Sequence, residues 1–257
     1  MKMACRWTKK LTFNKVRRPH MKNNCFPFFA LLALAIVCQG LLTAQTAPLK
    51  PVNFGDMMPD FTLPAVQGGE ISLSALKGKN VLLIFPRGRV GDHWCQICHY
   101  QYAELADLER ELQIRKKYNL EILFVLPYDK ATVEHWADIF PEQMAVIEGW
   151  KNPPAEAQKD PGTARWMETS RRLFPKKFVM SKDSIPLPFP ILIDGERKLS
   201  EGLQLFTLFW DRSYVEQNIA TIFLLDKTGQ VRFKYFSQGT VDRPDAAFLL
   251  KFIERML

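Results

Sequence analysis

An unbroken apolar run, Val81-Leu82-Leu83-Ile84-Phe85, places the strongest constraint on how this chain can fold. A strand that is apolar at every position is typical of the centre of a sheet whose two faces are both covered. The run from Ile122 to Leu126 has the same character. Between them, from Gln96 to Lys117, apolar residues recur at helical spacing. The pattern predicts two buried strands with a helix between them.

Shorter signals on either side extend this unit. They are strands at Phe61-Thr62-Leu63 and Ile71-Ser72-Leu73 around the turn Gly68-Gly69, a helix from Ala131 to Phe140, a hairpin of Thr221–Leu225 with Val231–Phe236, and a last helix from Arg243 to Met256. The order is strand, helix, strand, helix, hairpin and helix. It predicts an α/β domain with a central mixed sheet flanked by helices and an N-terminal strand extension.

Two cysteines stand where the first central strand gives way to the helix. Cys95 and Cys98 occur in Trp94-Cys95-Gln96-Ile97-Cys98-His99. Thiols at this spacing on the first turn of a helix can close into a disulfide, and the helix N-terminus stabilises a thiolate. We expect Cys95, the nearer to the loop, to attack a substrate disulfide or peroxide, and Cys98 to displace the product. Two inert packed cysteines are the plain alternative.

A basic and then apolar leader precedes the domain. Residues 1–44 hold eight Lys or Arg and no acidic residue, and an apolar run extends from Phe26 to Leu42. The leader ends in Leu42-Thr43-Ala44, with small residues as at a signal-peptidase site. We predict a secretory signal peptide over residues 1–44, cleaved after Ala44, and therefore a periplasmic or secreted protein.

Other interpretations of the leader stay open. An uncleaved leader would anchor the protein in a membrane, although Gln39-Gly40 interrupts the apolar run. A lipoprotein signal would need a small residue where Val37 precedes Cys38. Met21 could be the true start, because a compact signal begins there. In each case the folded domain is expected over residues 45–257.

The composition of the mature domain excludes some partners. Removing the eight basic residues of the leader from the 35 Lys and Arg leaves 27, which equals the 27 Asp and Glu. A neutral domain carries no electrostatic footprint for nucleic acid or for an anionic membrane. Three of the five cysteines (Cys5, Cys25 and Cys38) lie in the leader. Only the pair Cys95 and Cys98 could then form a disulfide within the mature domain.

Several motifs resemble a known family. The segment from Gly55 to Pro64, then Ile71 to Lys79 with the apolar strand after it, is similar to the opening of the peroxiredoxin-like redoxins of the alkyl hydroperoxide reductase and thiol-specific antioxidant superfamily. The similarity resumes at Phe189 to Gly195 and at Phe223 to Gly229, and covers most of the mature chain. It implies a thioredoxin-like fold and a thiol-dependent oxidoreductase.

The peroxidase motif of that family is not met in this chain. The family carries Pro-x-x-x-Thr-x-x-Cys, which places Gly88 and Asp92 at the proline and threonine when counted from Cys95, and Gly91 and Cys95 when counted from Cys98. The family's late arginine would align near Ala220, just before Thr221. Thr221 is therefore expected to flank the site. Arg87 or Arg89 could supply the missing positive charge.

Three further residues flank the pair. His93 and His99 could lower a thiol pKa as imidazolium ions, although a solvated or structural histidine is the simpler interpretation. Trp94 could cover the thiols or belong to the core.

Two other classes of protein remain possible. Cys95-Gln96-Ile97-Cys98-His99 also matches the attachment site of a c-type haem, with His99 as the iron ligand. A redoxin-fold binding module without turnover is the other class.

An insertion is predicted over residues 141–187, with a helix-like stretch from Ala155 to Leu173. We expect it to lie over or beside the dithiol, as a cap, as a docking surface or as a plain decoration. No metal site and no cofactor are predicted. The expected partner is a thiol or disulfide protein that serves as electron donor or acceptor, with a hydroperoxide as a possible substrate.

Overall fold

The computed structural model describes residues 50–257, so the predicted leader lies outside the described residues. The described strands are β1 (Thr62–Pro64), β2 (Glu70–Ser72), β3 (Asn80–Phe85), β4 (Arg89–Val90), β5 (His93–Trp94), β6 (Leu120–Leu126), β7 (Ile191–Ile193), β8 (Phe206–Thr207), β9 (Gln217–Asn218), β10 (Thr221–Leu225) and β11 (Val231–Phe236). The described α-helices are α1 (Gln96–Leu112), α2 (Ile114–Lys117), α3 (Lys130–Asp138), α4 (Phe140–Lys151), α5 (Pro161–Leu173), α6 (Lys198–Gly202) and α7 (Ala246–Met256). Along these residues no helix combines the length and apolarity needed to cross a bilayer.

Five strands form the central mixed sheet in the order β11, β10, β3, β6 and β7. Strand β3 pairs in parallel with β6, and β6 pairs in parallel with β7. Strand β10 runs antiparallel to both β3 and β11. Helix α1 follows β3 and precedes β6, so the chain passes from the carboxyl end of β3, through β4 and β5, to the cysteines at the start of α1.

The apolar run of β3 is divided between two cores because side chains alternate across a strand. Leu82 and Ile84 face a cluster that includes residues of α1, α3 and α7. Val81, Leu83 and Phe85 face a second cluster with residues from the N-terminal strands and α6 region. All six residues of β3 are buried, as the unbroken run predicts.

Two predicted helices end earlier than the sequence pattern indicates. The helix predicted to reach Lys117 breaks at Gln113, which has a left-handed backbone, φ 50° and ψ 47°. Ile114 then begins α2 fully buried in the core. The helix predicted to reach Phe140 ends at Asp138, because Pro141 occupies the first turn of a separate helix, α4.

The C-terminal helix also begins later than predicted. Asp245 caps it by accepting a hydrogen bond from the Phe248 amide at 2.7 Å, so the helix starts at Ala246. Arg243 therefore lies in the segment that leads into the helix, and Pro244 separates it from the cap. Because Arg243 precedes the helix, its side chain can turn toward the dithiol, where its charge acts on both thiols.

Candidate dithiol site

Cys95 and Cys98 lie together at the start of α1. Cys95 is the cap residue, and its carbonyl accepts hydrogen bonds from the Cys98 amide at 3.1 Å and the His99 amide at 3.4 Å. Both residues are free thiols and both are buried, with 3% and 1% of their surface exposed. The exposed fractions of the two residues therefore differ only slightly.

A short hairpin between β3 and α1 covers the pair. It consists of β4 and β5, joined by Gly91-Asp92, and the sequence pattern did not indicate it. The Arg87 amide donates to the Cys98 Sγ at 3.3 Å, and the Cys95 amide donates to the Gly88 carbonyl at 2.8 Å. The backbone of this loop thus binds one sulfur and holds the other in place.

The two thiols have opposite pKa shifts. Burial raises the pKa of Cys98, but the Cys95 thiol, the charge of Arg243 and the amides of Arg87 and Gly88 outweigh it and lower the pKa to about 5. The hydrogen bond to Cys98 and burial raise the pKa of Cys95 well above its ordinary value. The reduced pair therefore carries one negative charge near neutral pH, held at Cys98 and bonded by the Cys95 thiol. Attack by Cys95 stays a prediction.

Tyr128 fixes the loop from the side. Its hydroxyl accepts a hydrogen bond from the Arg89 amide at 2.9 Å and donates one to the Glu216 carbonyl at 3.0 Å. Its ring packs edge-on against Trp94, with centroids 5.4 Å apart. Burial raises the pKa of Tyr128 to about 12, so the hydroxyl remains a donor. Gly88 lies directly against this ring with a φ of 82°.

Two arginines bring positive charge to the thiols. Arg87, which was predicted, is 5% exposed, and its Nε donates to the Gln217 Oε1 at 2.7 Å. Arg243, which sequence reasoning missed, lowers the pKa of both cysteines through its charge. Both guanidinium groups lie over the ring of Trp210, at 5.7 and 5.6 Å from its centroid. Arg89, the other candidate, is exposed and lies 5.3 Å over Trp94.

The predicted flanking residues occupy distinct environments. Trp94 is buried between Tyr128 and His135, so it belongs to the core. His93 is exposed on β5. Thr221 is fully buried at the start of β10, opposite Phe85, and its hydroxyl donates to the Ile219 carbonyl at 2.9 Å. Thr221 therefore supports the end of the central strand that leads to the site.

His99 is fully buried and does not carry the positive charge proposed for it. Burial lowers its pKa to about 4, so the ring is neutral near pH 7. Its Nδ1 lies 3.1 Å from the Cys95 carbonyl and its Nε2 lies 3.0 Å from the Trp136 carbonyl. Trp136 and Phe140 pack against the ring. Neither nitrogen faces a space that iron could occupy, which disfavours the c-type haem alternative.

The insertion contributes side chains to the surroundings of the thiols. Met144 and Ile147 of α4, together with Phe174 after α5, form one apolar cluster with Cys95 and Cys98. The hydroxyl of Tyr100, two residues after Cys98, accepts a hydrogen bond from the Lys176 amide at 2.8 Å. Within residues 50–257, no three side chains of His, Cys, Asp or Glu converge as a metal-binding group.

The change of the reduction potential with pH should show that the reduced pair carries a single thiolate. A two-electron couple changes by about 30 mV per pH unit for each proton taken up on reduction. One proton is taken up where Cys98 stays ionised, so we expect a slope of about 30 mV per pH unit around pH 7 that doubles below about pH 5. Equilibration with a redox buffer at several pH values measures it. A slope of about 59 mV at pH 7 would mean that both sulfurs are protonated.

Stability should follow the same ionisation. Folding depresses the pKa of Cys98 from 9.0 to about 5, so the thiolate stabilises the folded reduced protein increasingly from pH 5 to pH 9. That stabilisation is lost as the pH falls through about 5. The melting temperature of the reduced form, relative to the oxidised form, should rise over the same pH range.

The sequence model of the AhpC/TSA family matches residues 54–144, which include both cysteines and the covering loop. No curated protein matches the chain.

Three solved structures are similar to this one. A peroxiredoxin 6 mutant from Arenicola marina is 14% identical, with a TM-score of 0.50, over 79% of this chain and 73% of that one. The reduced 2-Cys peroxiredoxin of Plasmodium vivax is 19% identical, with a TM-score of 0.47, over 79% and 81% of the two chains. A peroxidoxin from Mycobacterium tuberculosis is 15% identical, with a TM-score of 0.45, over 80% and 96%. The predicted thioredoxin-like fold is confirmed.

Proposed function

We propose that this chain, a thiol-dependent oxidoreductase of the AhpC/TSA redoxin superfamily, is an exported enzyme of thiol–disulfide exchange that works through Cys95 and Cys98. One observation carries the proposal: two free thiols lie together at a helix N-terminus, where the Arg87 amide donates a hydrogen bond to the sulfur of Cys98 at 3.3 Å. Such a pair can deliver two electrons in two displacement steps. Neither step requires a bound cofactor.

The first step uses Cys98 as the internal base. Its thiolate takes the proton of the Cys95 thiol, and the Cys95 sulfur attacks one sulfur of the substrate disulfide. The substrate S–S bond breaks, a mixed disulfide forms on Cys95, and one substrate thiolate leaves. The hydrogen bond between the two sulfurs supplies the path for this proton, and the transfer is uphill because Cys98 has the lower pKa of the two.

The second step closes the cycle. The departing thiolate takes the proton from Cys98, and the Cys98 sulfur then attacks the Cys95 sulfur. The mixed disulfide breaks, Cys95–Cys98 forms, and the second substrate thiolate leaves. The substrate gains two electrons and the protein loses two. A thiol protein partner must then reduce Cys95–Cys98 for another turnover.

Export is part of the proposal. The basic and apolar leader over residues 1–44 supports secretion to the periplasm or beyond, with Gln45 as the first residue of the mature protein. Disulfides persist in such compartments, so protein disulfides would be available as substrates there. Retention by an uncleaved leader is the alternative location.

Thiol peroxidase is the second candidate function. Arg87 and Arg243 favour it, because their charges could stabilise the oxygen that departs when a hydroperoxide is reduced. The loop threonine of the family's peroxidase motif has no counterpart here, since Asp92 occupies that place in one register and Cys95 in the other. Exchange makes no demand for such a residue, so we rank exchange first.

A direct comparison of two substrates tests this ranking. The exported form is assayed for reduction of a protein disulfide such as that of insulin, and for consumption of hydrogen peroxide, with the same dithiol as electron source. We expect exchange to be the faster reaction. Rapid formation of sulfenic acid on either cysteine with no exchange would make peroxidase the better assignment. Activity toward neither substrate would favour a binding module.

A further inference from the structure

Two positively charged side chains lie beside the dithiol, and neither is held in a salt bridge within the described residues. Arg87 and Arg243 lie over the same indole ring, that of Trp210. Burial is the largest cause of the lowered pKa of Arg87, and the nearby charge of Arg243 lowers it further. Among residues 50–257, neither guanidinium forms a salt bridge. Arg87 donates its Nε proton to the neutral side chain of Gln217. Within the described residues, the two positive charges beside the Cys98 thiolate therefore have no direct carboxylate partner, and the charge of Asp211 acts on Arg87 without a salt bridge.

Arg243 also has unused hydrogen-bond donors. Its Nη1 donates to three neutral oxygens. They are the Ser237 hydroxyl at 3.2 Å, the backbone carbonyl of Gly239 at 3.3 Å and the backbone carbonyl of Asp242 at 2.6 Å. Its Nε and Nη2 are buried and find no acceptor within the described part of the chain, and that includes both sulfurs. A buried charged donor without an acceptor is costly, so these two N–H groups are available to an acceptor that the described side chains do not supply. A planar fork of two N–H groups is matched by a carboxylate.

We propose that Arg87, Trp210 and Arg243 form an anion-binding subsite beside the dithiol, and that it selects small disulfides which carry a carboxylate near the sulfur. The inference rests on the proposed exchange function and names its substrate class. The free Nε and Nη2 of Arg243 bind the carboxylate, and Arg87 and Trp210 form the walls of the subsite. Binding there holds the substrate disulfide beside Cys95.

The segment that carries Trp210 is open to such a substrate. Leu208, Phe209 and Tyr214 are exposed on the connection between β8 and β9, and Phe209 packs against Tyr214 with ring centroids 4.6 Å apart. Trp210 itself is partly exposed. A small molecule can therefore reach the indole from solvent, and a movement of the Trp210 ring would open the Nε and Nη2 of Arg243, which are buried in the free protein, to its carboxylate.

Three disulfides with similar skeletons and different charges test the proposal. They are dithiodipropionate, a dianion; hydroxyethyl disulfide, which is neutral; and cystamine, a dication. For each disulfide, the single-turnover rate at which it oxidises the reduced protein is measured. This rate is divided by the rate at which the same disulfide reacts with a small free thiol, which corrects for its intrinsic reactivity. We expect dithiodipropionate to exceed cystamine by about tenfold or more, as for a site that concentrates anions.

Variants separate the subsite from general charge. Arg243→Met replaces the guanidinium group by an unbranched apolar side chain. It should remove most of the preference for dithiodipropionate over hydroxyethyl disulfide. Arg243→Lys keeps the charge without the fork and should restore only part of it. Arg212→Asn is the matched control and should keep the full preference. Arg212 is exposed on the same segment and has a left-handed backbone, which asparagine tolerates.

A second measurement does not depend on exchange. The rate of alkylation by iodoacetate is compared with that by iodoacetamide, and their ratio should fall in Arg243→Met and stay unchanged in Arg212→Asn. Equal corrected oxidation rates with all three disulfides, together with an alkylation ratio that Arg243→Met does not change, would refute the subsite. The exchange function would not be affected by that result. Failure of every disulfide to oxidise the protein would instead refute the exchange function, and the alkylation ratio would still decide the subsite.

Discussion

Replacing Cys95 by serine should abolish both exchange and peroxide reduction, whereas replacing Cys98 by serine should leave a mixed disulfide trapped on Cys95. The attacking sulfur cannot be replaced by an oxygen of much higher pKa, because the thiolate is the nucleophile. Without Cys98, nothing displaces the substrate from Cys95. Mass spectrometry of each variant after incubation with a protein disulfide identifies the trapped species.

The pKa of each remaining thiol should also change. The hydrogen bond to Cys98 is the largest cause of the raised pKa of Cys95, so this pKa should fall in Cys98→Ser. The Cys95 thiol helps to lower the pKa of Cys98, and a serine hydroxyl at position 95 would replace that donor only in part. The pH dependence of iodoacetamide alkylation measures both values in the single variants, and the double variant gives the background.

The opposite pattern of trapping would reassign the roles. A mixed disulfide on Cys98 in Cys95→Ser, with none on Cys95 in Cys98→Ser, would make the sulfur with the lower pKa the attacking one. Circular dichroism of both variants checks that the fold is retained.

Much of the sheet could be predicted from the sequence because its strands are buried on both faces. Val81–Phe85 and Ile122–Leu126 are apolar throughout, and the observed strands, Asn80–Phe85 and Leu120–Leu126, extend these runs by only one and two residues. The hairpin Thr221–Leu225 with Val231–Phe236 has the predicted bounds. In these elements the local pattern and the tertiary environment agree, so the period of apolar residues is sufficient.

Elements that depend on single backbone conformations were harder to predict. A non-glycine residue in the left-handed region, such as Gln113, leaves no clear sign in the apolar pattern. Pro141 does leave one, because a proline is favoured in the first turn of a helix, and it could have indicated the start of α4. The hairpin of β4 and β5 has only two residues in each strand, which is too short for a recognisable alternation.

The pair of cysteines could be found from the sequence, but the charges around it could not. Cys95 and Cys98 are close to one another in the sequence, and their spacing indicates a dithiol site. Arg243 reaches the site only because β10, β11 and the segment before α7 bring it back to the carboxyl end of β3. Trp210 comes from a connection that the sequence pattern left without structure. A site assembled from distant segments requires the fold before its electrostatics can be described.

Replacing Gly88 by alanine should destabilise the domain and raise the pKa of Cys98 at the same time. A Cβ at this position would lie 2.4 Å from the Tyr128 hydroxyl oxygen and 2.6 Å from its Cε2, far inside contact distance. The φ of 82° is itself strained for alanine, at a cost of roughly 1 to 3 kcal/mol in the free energy of unfolding. The clash adds to this cost because the Tyr128 ring is buried and cannot move freely.

Gly91→Ala is the matched control. Gly91 also has a positive φ, 62°, and nothing lies within 4 Å of a Cβ placed there, so it has the strain without the clash. Urea unfolding should therefore give a larger loss of stability for Gly88→Ala than for Gly91→Ala. The loop amides of Arg87 and Gly88 help to hold the Cys98 thiolate, so alkylation should shift to higher pH only in Gly88→Ala. Equal stabilities and unchanged alkylation profiles in the two variants would mean that the packing of Gly88 against Tyr128 does not position the amides that stabilise the thiolate.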